Sequence, residues 1–377
     1  MQTPLVSPTR FLPRCFLAIA LLALQSASAD QPDTRHGAVE DGGTTLSFEG
    51  GFTATWQHAR AGHIDDEAAA SLDLVATLPM GGGIWTLYVE GSTTPAANGV
   101  TAWLPEANAD VGTALDGDGR GRLQVSVFHY THPLQGGQIT AGLLDPTGFL
   151  DRSEVANDET RQFLGASFVN DRVIEFPDYH LALAWHRDAT SKQPGFTLLL
   201  GSSHGLTDNS GSYGGLVHPM DRGKGVFAAA EGYGYLGSAI WRLGIWTNTA
   251  DHPRLEDPQR EGINRGIYGV MDGALGQTRW NLRLGWTDPR ISTASTFIAL
   301  TLKRNLGIAT VGLGVARTGV SPEKPDGASM LQAEFYARFE TPWGVEISPD
   351  LQWLRHSNLD PDSGDHWVAG VRATYLF

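Results

Sequence analysis

Residues 279–287 read RWNLRLGWT. The tryptophans and leucines of this stretch occupy the even positions, whereas Arg279, Asn281 and Arg283 occupy the odd ones. A β-strand points successive side chains to opposite faces, so this stretch would have one apolar face and one polar face as a strand. The alternation predicts a strand that separates an apolar environment from an aqueous one.

The same alternation recurs along the chain, most clearly in residues 44–57, 178–187 and 331–340. In 331–340 the apolar positions are Leu331 to Phe339 at every second residue, opposed by glutamine, glutamate, tyrosine and arginine. A soluble β-sandwich would show the same pattern with its apolar faces turned inward. Alternation alone therefore leaves two all-β folds open.

The spacing of the predicted strands distinguishes the two folds. Sixteen segments can be assigned: 44–57, 68–79, 83–92, 120–131, 136–145, 178–187, 194–203, 224–233, 235–248, 262–272, 275–287, 293–304, 306–318, 327–341, 342–356 and 366–377. Connections after even-numbered segments are mostly tight, whereas those after odd-numbered segments are mostly longer, above all 93–119 and 146–177. This rhythm is typical of an outer-membrane barrel. We therefore predict an all-β fold, a transmembrane antiparallel up-and-down β-barrel of about sixteen strands with long extracellular loops, spanning residues 44–377.

The amino terminus has the features of a secretory signal peptide. Arg10 and Arg14 precede an apolar run over residues 15–24, and Ala27-Ser28-Ala29 forms a small-residue cleavage site. The apolar run is shorter than the ~20 residues that a membrane-spanning helix needs. We predict a signal peptide over residues 1–29, a short periplasmic segment over 30–43, and export through the periplasm to the outer membrane of a Gram-negative cell.

Composition narrows the classes of partner and cofactor. Removal of residues 1–29 takes away Cys15, the chain's one cysteine, and leaves 25 basic against 41 acidic side chains, a formal net charge of −16. Such a charge argues against binding to nucleic acid. The twelve histidines form no H-E-x-x-H zinc motif. We predict no cofactor and no metal centre, and leave open whether the acidic turns at 116–119 and 360–365 bind calcium.

The carboxy-terminal segment ends on an aromatic side chain of apolar parity. Tyr375 and Phe377 share this parity with Ala369, Val371 and Ala373, so all five would face lipid. The terminal aromatic resembles the signal by which barrel-assembly machinery recognises its clients. We therefore predict that Tyr375 and Phe377 form the assembly signal.

A barrel of sixteen strands leaves room for an aqueous channel, and a polar inner parity fits one. The long segment 146–177 after the fifth strand is the candidate constriction loop, since a connection of this length is usually functional. We predict that the solute pathway includes the loop residues Asp151, Arg152, Glu154, Asp158, Glu159 and Arg161, and the inward wall residues Glu90, Arg122, Arg242, Arg283, Glu334 and Arg338. Trp246 and Tyr336 also have inward parity and could offer sugars an aromatic face.

Two stretches carry a resemblance to a known family. Residues 138–146 with Phe149 resemble the end of a strand and the following loop in the carbohydrate-selective porins (OprB family), and 334–352 with 370–377 look like that family's carboxy-terminal hairpin. The resemblance implies a sixteen-stranded outer-membrane channel that favours mono- and oligosaccharides. One departure is Leu144, which stands where the family often has an inward lysine.

These observations favour a porin that passes small hydrophilic solutes, carbohydrates above all, without covalent chemistry. The alternatives are a general or ion-selective porin, an outer-membrane barrel enzyme that acts on lipid through Ser202 or Ser203, and a structural or adhesion barrel. The expected partners are sugars or other small hydrophilic solutes, outer-membrane lipid and the barrel-assembly machinery, with a homotrimer left open as the oligomeric state.

Overall fold

The computed structural model describes residues 45–116, 118–206, 213–216 and 224–377. The predicted signal peptide and periplasmic segment, residues 1–43, lie outside these ranges.

The described residues form a closed barrel of sixteen strands, in which each strand pairs antiparallel with its neighbours in sequence and β1 pairs with β16. The strands are β1 Ser47–Ala59, β2 Glu67–Met80, β3 Gly83–Ser92, β4 Leu123–Leu134, β5 Gly137–Leu144, β6 His180–Arg187, β7 Gly195–Ser202, β8 Val226–Leu236, β9 Ala239–Pro253, β10 Glu261–Leu275, β11 Thr278–Thr287, β12 Ala294–Asn305, β13 Thr310–Val320, β14 Met330–Glu340, β15 Val345–Arg355 and β16 Asp365–Leu376. The predicted fold and strand number are confirmed.

Helical structure among the described residues is confined to short turns in the connections. They are the α-helices Val100–Trp103 and Ala166–Val169, and the 3-10 turns Pro105–Ala107, Pro146–Gly148, Tyr213–Gly215, Ser357–Leu359 and Pro361–Ser363. None of the helices in the described ranges is long and apolar enough to cross a membrane.

The side chains are sorted in the opposite sense to a soluble sandwich. On β11, Leu284 and Trp286 are 46% and 42% exposed on the outer face, whereas Asn281 and Arg283 are 0% exposed. Large apolar side chains are normally buried and charged ones exposed in soluble proteins. A closed sheet with an apolar exterior satisfies its own backbone hydrogen bonds, which is the requirement for a sheet in hydrocarbon.

Glycines with positive φ make the tight turns at one rim of the barrel. The β2–β3 turn consists of Gly81 and Gly82, with φ of 69° and 79°, a pair of left-handed conformations that favours glycine. The turn between β4 and β5 likewise uses Gly136, with φ of 84°. We expected β4 to end near residue 131, but it continues through Pro133 to Leu134 because this glycine, and not the proline, reverses the chain.

The barrel closes where its last residue meets its first strand. The backbone of Phe377 exchanges two hydrogen bonds of 2.9 Å with Gly50, and the Phe377 ring stacks on Tyr375. A Cβ added to Gly50 would lie 2.7 Å from that ring. Gly50 therefore leaves the space that the terminal aromatic occupies.

We predict that Phe377→Ser slows insertion of the refolding barrel into lipid vesicles, since it removes the apolar contact at the closing pair. Its backbone hydrogen bonds do not depend on the side chain, so the barrels that do assemble should have the conductance of the original chain. Electrophoretic mobility with and without heating measures the folded fraction. Unchanged insertion kinetics would show that the ring is not part of the assembly signal.

Candidate solute pathway

The connection between β5 and β6, residues 145–179 and here called the inner loop, lies against the inner wall of the barrel. Hydrogen bonds or ion pairs join it to Glu231, Asp272, Arg279, Arg283, Lys303, Glu334, Arg338, Glu346, Arg372 and Thr374. These wall residues belong to strands from β8 to β16. The loop therefore fills part of the lumen along that side.

Arg283 is the most completely buried anchor of the inner loop. Its Nε donates to Asp151 Oδ1 at 3.0 Å, its Nη2 to the Asp151 carbonyl at 3.0 Å, and its Nη1 to the Phe168 carbonyl at 2.9 Å. Both partners of the ion pair are 0% exposed. Asp151 adopts φ of 56°, a backbone conformation that surrounding contacts must hold in place. One arginine thus fixes two distant points of the loop.

Glu231 on β8 connects this anchor to side chains of β9 and β10. Its Oε2 accepts from the Asp151 backbone N–H at 3.0 Å and from the Tyr268 hydroxyl at 2.8 Å, and its Oε1 accepts from Arg242 at 3.3 Å. Burial, and then the nearby Arg242, lower the pKa of Arg152. Arg152 and Arg242 therefore form a pair of like charges beside the buried carboxylate of Glu231.

The carboxyl group of Asp171 is held in conditions that favour its neutral form. Burial, and then the neighbouring Asp151, raise the pKa of Asp171 to about 8. Its Oδ1 accepts from the Val173 N–H at 3.1 Å, whereas its Oδ2 is buried and has no hydrogen-bond partner among the described residues. Release of the loop would return this group to water and to its ordinary pKa of 3.8.

We therefore predict that the seated position of the inner loop weakens as the pH rises from about 4 to about 8. In this window a released Asp171 is ionised, whereas the seated one keeps its proton, so seating requires proton uptake and becomes less favourable with pH. Proteolytic cleavage of the loop should speed up over this window in the original chain and less steeply in Asp171→Asn. Asp326→Asn, at an exposed loop position, is the control. Equal pH dependence in all three proteins would exclude Asp171 as the titrating group.

The distal part of the inner loop is held by three arginines. Arg161 Nε donates to Glu346 Oε2 at 2.8 Å and its Nη2 to Oε1, a two-point contact between guanidinium and carboxylate. Arg338 donates to the Arg161 carbonyl at 3.1 Å, and Arg372 donates to the carbonyls of Glu159 and Gln162. The three guanidinium groups therefore hold the inner loop against the barrel wall.

Glu334 binds the loop backbone. Its two carboxylate oxygens accept from the N–H groups of Leu164 and Gly165, each at 2.7 Å. A Cβ on Gly165 would lie 2.6 Å from the Glu334 carboxylate, so only glycine allows this approach. Glu334 thus positions the loop just before its short helix.

The two predicted sugar-stacking residues lie inside apolar clusters. Tyr336 is 1% exposed and meets Phe163 edge to face with ring centres 5.0 Å apart, beside Phe168. Trp246 is 3% exposed and packs in a second cluster with Phe227 and the loop residue Phe149. Both side chains face inward as expected, and the inner loop covers them.

The remaining predicted residues lie at the margins of the loop or away from it. Glu154 pairs with Arg279, and both side chains are about half exposed. Glu90 accepts from Ser126 on β4, and Arg122 donates to Gln124 at 3.0 Å. Glu90 and Arg122 therefore belong to the side of the barrel formed by β3 and β4.

A second long connection, the β3–β4 loop of residues 93–122, also packs inside the barrel and was not predicted to do so. Inward glutamines donate to its carbonyls: Gln57 to Ala107 at 2.9 Å, and Gln352 to Ala107 at 2.8 Å. Ser71 on β2 donates to its Asp110 at 2.8 Å. Amide side chains at the inward parity of several strands are the signal that could have indicated this contact.

Acidic groups collect where the two loops meet the β2–β3 wall. Asp73, Asp110, Asp158 and Glu159 lie close enough to repel one another, with Glu90 nearby. Burial raises the pKa of Asp110 to about 7 and that of Glu159 well above its usual range. This acidic group therefore carries less negative charge at neutral pH than its composition indicates.

The acidic group and the Arg152–Arg242 pair face each other across the barrel. Asp73 lies on β2 and Arg242 on β9, seven positions apart in a ring of sixteen strands. Within the described ranges, no group of three or more histidine, cysteine, aspartate or glutamate side chains is placed to hold a metal ion.

Comparison with solved structures supports the barrel fold. OprB of Pseudomonas putida, in its high-pH structure, superposes with a TM-score of 0.71 over 88% of this chain and 94% of its own, at 13% sequence identity. The chain has the fold of OprB. A Vibrio cholerae outer membrane protein, the OmpT variant lacking loop L8, gives a TM-score of 0.55 at 11% identity, and a Rh. blastica porin variant gives 0.53 at 13%. Each superposition covers 88% of this chain, and they cover 99% and 100% of those two chains.

Comparisons of sequence cover less of the chain than the structural similarity to OprB does. No family model matches the chain. An uncharacterized protein of Aquifex aeolicus (strain VF5) is 35% identical over 75 residues, which is 20% of this chain and 23% of that relative. The expected resemblance to the OprB family is thus confirmed at the level of the fold.

Proposed function

We propose that this chain is an outer-membrane porin through which small hydrophilic solutes, carbohydrates above all, diffuse without covalent chemistry. The single observation that carries the proposal is a buried loop, anchored by Arg283, inside a barrel whose exterior is apolar and whose interior is polar. Such a barrel gives hydrated solutes a path through hydrocarbon, and the loop narrows that path.

The charges along the path support selection among polar solutes. Asp73 and the acidic loop residues lie on one side and Arg152 with Arg242 on the other, so a solute in between meets acceptors and donors together. Hydroxyl pairs of a sugar can donate to carboxylates and accept from guanidinium groups. Charges of opposite sign on the two sides would create an electric field transverse to the barrel axis, which orients neutral dipolar solutes without excluding them by net charge.

Liposome swelling with graded sugars tests the proposal. Vesicles that contain the refolded barrel should swell in monosaccharides faster than in larger oligosaccharides, and faster than in ions or polyols of equal size. Equal rates for sugars and size-matched solutes would favour a general porin instead. A barrel that passes no solute would indicate a structural or adhesion role.

Replacing Arg152 with alanine should increase the preference for cations over anions. The substitution removes one of two like charges on the basic side, so the acidic side dominates the field that an ion meets. Reversal potentials in a salt gradient measure the change, with Arg260→Ala, an exposed arginine of the β9–β10 connection, as the control. Identical reversal potentials in the two variants would remove Arg152 from the pathway.

We further propose that the barrel reaches the outer membrane through the periplasm and inserts with the help of barrel-assembly machinery. The apolar parity of Tyr375 and Phe377 at the closing strand supports this route. We also propose that three copies of the barrel associate into a homotrimer, which the mass of the detergent-solubilised protein can test.

A further inference from the structure

A separate cavity of about 420 Å³ lies at the long-loop rim of the barrel. Its walls come from the end of the inner loop, from the β3–β4 loop, from the ends of β9, β10, β12, β13 and β14, and from the connections β11–β12 and β15–β16. The volume is within the ~300–1,000 Å³ of pockets that bind small molecules. None of the residues predicted for the solute pathway lines it.

Glu175 of the inner loop forms the acceptor side of this cavity. Its Oε1 accepts from Asn248 at 2.9 Å and lies 2.8 Å from His252 Nε2, and its Oε2 accepts from Asn264 at 2.7 Å. These contacts fix the carboxylate, yet its side chain remains 38% exposed. Each carboxylate oxygen can accept more than one hydrogen bond, so the group can still receive hydroxyl donors.

Arg172, three residues earlier in the chain, supplies hydrogen-bond donors to the same cavity. Its side chain is exposed and lines the cavity, and it makes no hydrogen bond with any described residue. A guanidinium group presents five N–H donors in a fixed fork. The guanidinium of Arg172 and the carboxylates of Glu175 and Glu106 thus border the same space. The apolar lining is Ile291, Val173 and Met330.

A strained turn on the far side is held in place by the other long loop. Asn358 and Leu359 line the cavity and have φ of 55° and 59°, unusual for residues other than glycine. Glu106 accepts from the Asn358 backbone N–H at 3.0 Å and from the Ser357 hydroxyl at 2.6 Å. Strained backbone persists where surrounding contacts fix it, and such places are often binding sites.

We infer that this cavity is a mouth subsite that binds a neutral polyhydroxylated ring, a monosaccharide or disaccharide, before it enters the narrow part of the barrel. Arg172 donates to ring hydroxyls, Glu175 accepts from them, and the apolar lining contacts the C–H face of the ring. Because Arg172 faces the carboxylates of Glu175 and Glu106, the cavity has no excess of positive charge, which favours a neutral ligand over an anionic one. The inference rests on the proposed function and adds a second binding site to it.

The experiment measures how glucose and maltose reduce the ion current through single barrels in a planar bilayer. Sugar on the long-loop side should reduce the current saturably, and Arg172→Ala should raise the half-saturating concentration about tenfold, the effect of losing one charge-assisted hydrogen bond. Thr293→Trp, which fills the cavity from an exposed side chain without altering the loop, should have at least the same effect. Arg260→Ala, outside the cavity, should leave it unchanged.

The outcomes separate the subsite from the porin itself. If vesicles show sugar flux but the half-saturating concentration is equal in all variants, the subsite is overturned and the proposed porin function is retained. Absence of sugar flux in the original chain would overturn both. Tighter block by gluconate than by glucose, lost in Arg172→Ala, would overturn the neutral ligand in favour of a sugar acid.

Discussion

Replacing Arg283 with methionine should release the inner loop from the wall and raise the conductance of the barrel. The substitution leaves the Asp151 carboxylate buried without its cation, and leaves the carbonyls of Asp151 and Phe168 without their donor. Removal of one partner of a buried ion pair typically costs ~3–5 kcal/mol. That cost would shift the equilibrium between the seated and the released loop by a factor on the order of 10²–10⁴.

Single-channel recording and limited proteolysis measure this release together. The variant should give larger and noisier currents, and a protease should cut within residues 145–179 faster than in the original chain. The barrel itself should still form, because the loop anchor is not part of the strand pairing of β11 with β10 and β12. Unchanged current and unchanged cleavage would contradict the assignment of Arg283 as the anchor.

A double variant gives this test a matched control. Asp151→Asn removes the unpaired charge and keeps a side chain that tolerates the positive φ at this position. Arg283→Met combined with Asp151→Asn should therefore recover part of the original conductance and protection, since the uncompensated charge is the larger cost. If the double variant behaves worse than Arg283→Met alone, desolvation of Asp151 is not the dominant effect.

Gly285→Val should release the same loop by a steric route that changes no charge. A Cβ on Gly285 would lie 2.4 Å from Asp171 Oδ2 and 2.5 Å from Val173 Cγ2. Contacts this short cannot be accommodated without displacing the loop, whereas valine itself suits a strand. We expect an increase in conductance and in loop cleavage comparable to that of Arg283→Met.

Gly232→Val is the control for this second prediction. Gly232 lies on β8, and the nearest atom to an added Cβ there is 3.5 Å away, an ordinary contact with Phe196. This variant should keep the conductance of the original chain. If Gly285→Val also keeps it, the inner loop does not limit the current.

The barrel could be predicted from the sequence because the alternation of residues within each strand shows which side chains face outward and which face inward. In 279–287 the parity of Leu284 and Arg283 assigns each to a face, and no distant residue is needed for that assignment. Repetition of this pattern with alternating short and long connections then specifies the closed sheet. The inner loop was predicted from its length and its density of charged residues.

The partners of the inward side chains could not be predicted in the same way. Arg283 and Asp151 are 132 residues apart, and parity says that Arg283 faces inward without saying what meets it there. Trp246 and Tyr336 have the expected parity, but Phe149 and Phe163 of the loop cover them. The position of the β3–β4 loop was missed because its partners, such as Gln57, Ser71 and Gln352, lie on the barrel wall, and the sequence of the loop does not specify them.

The orientation of the wall is the central claim, and cysteine accessibility on β2 tests it most directly. Cys15 is the chain's one cysteine, so a Cys15→Ala background carrying Leu72→Cys, Asp73→Cys or Leu74→Cys reports one position at a time. In vesicles, a water-soluble thiol reagent should modify position 73, whereas positions 72 and 74 should react only with a lipid-soluble reagent. Modification of 72 and 74 from water, with 73 protected, would mean that the apolar face is not in lipid and would contradict the channel.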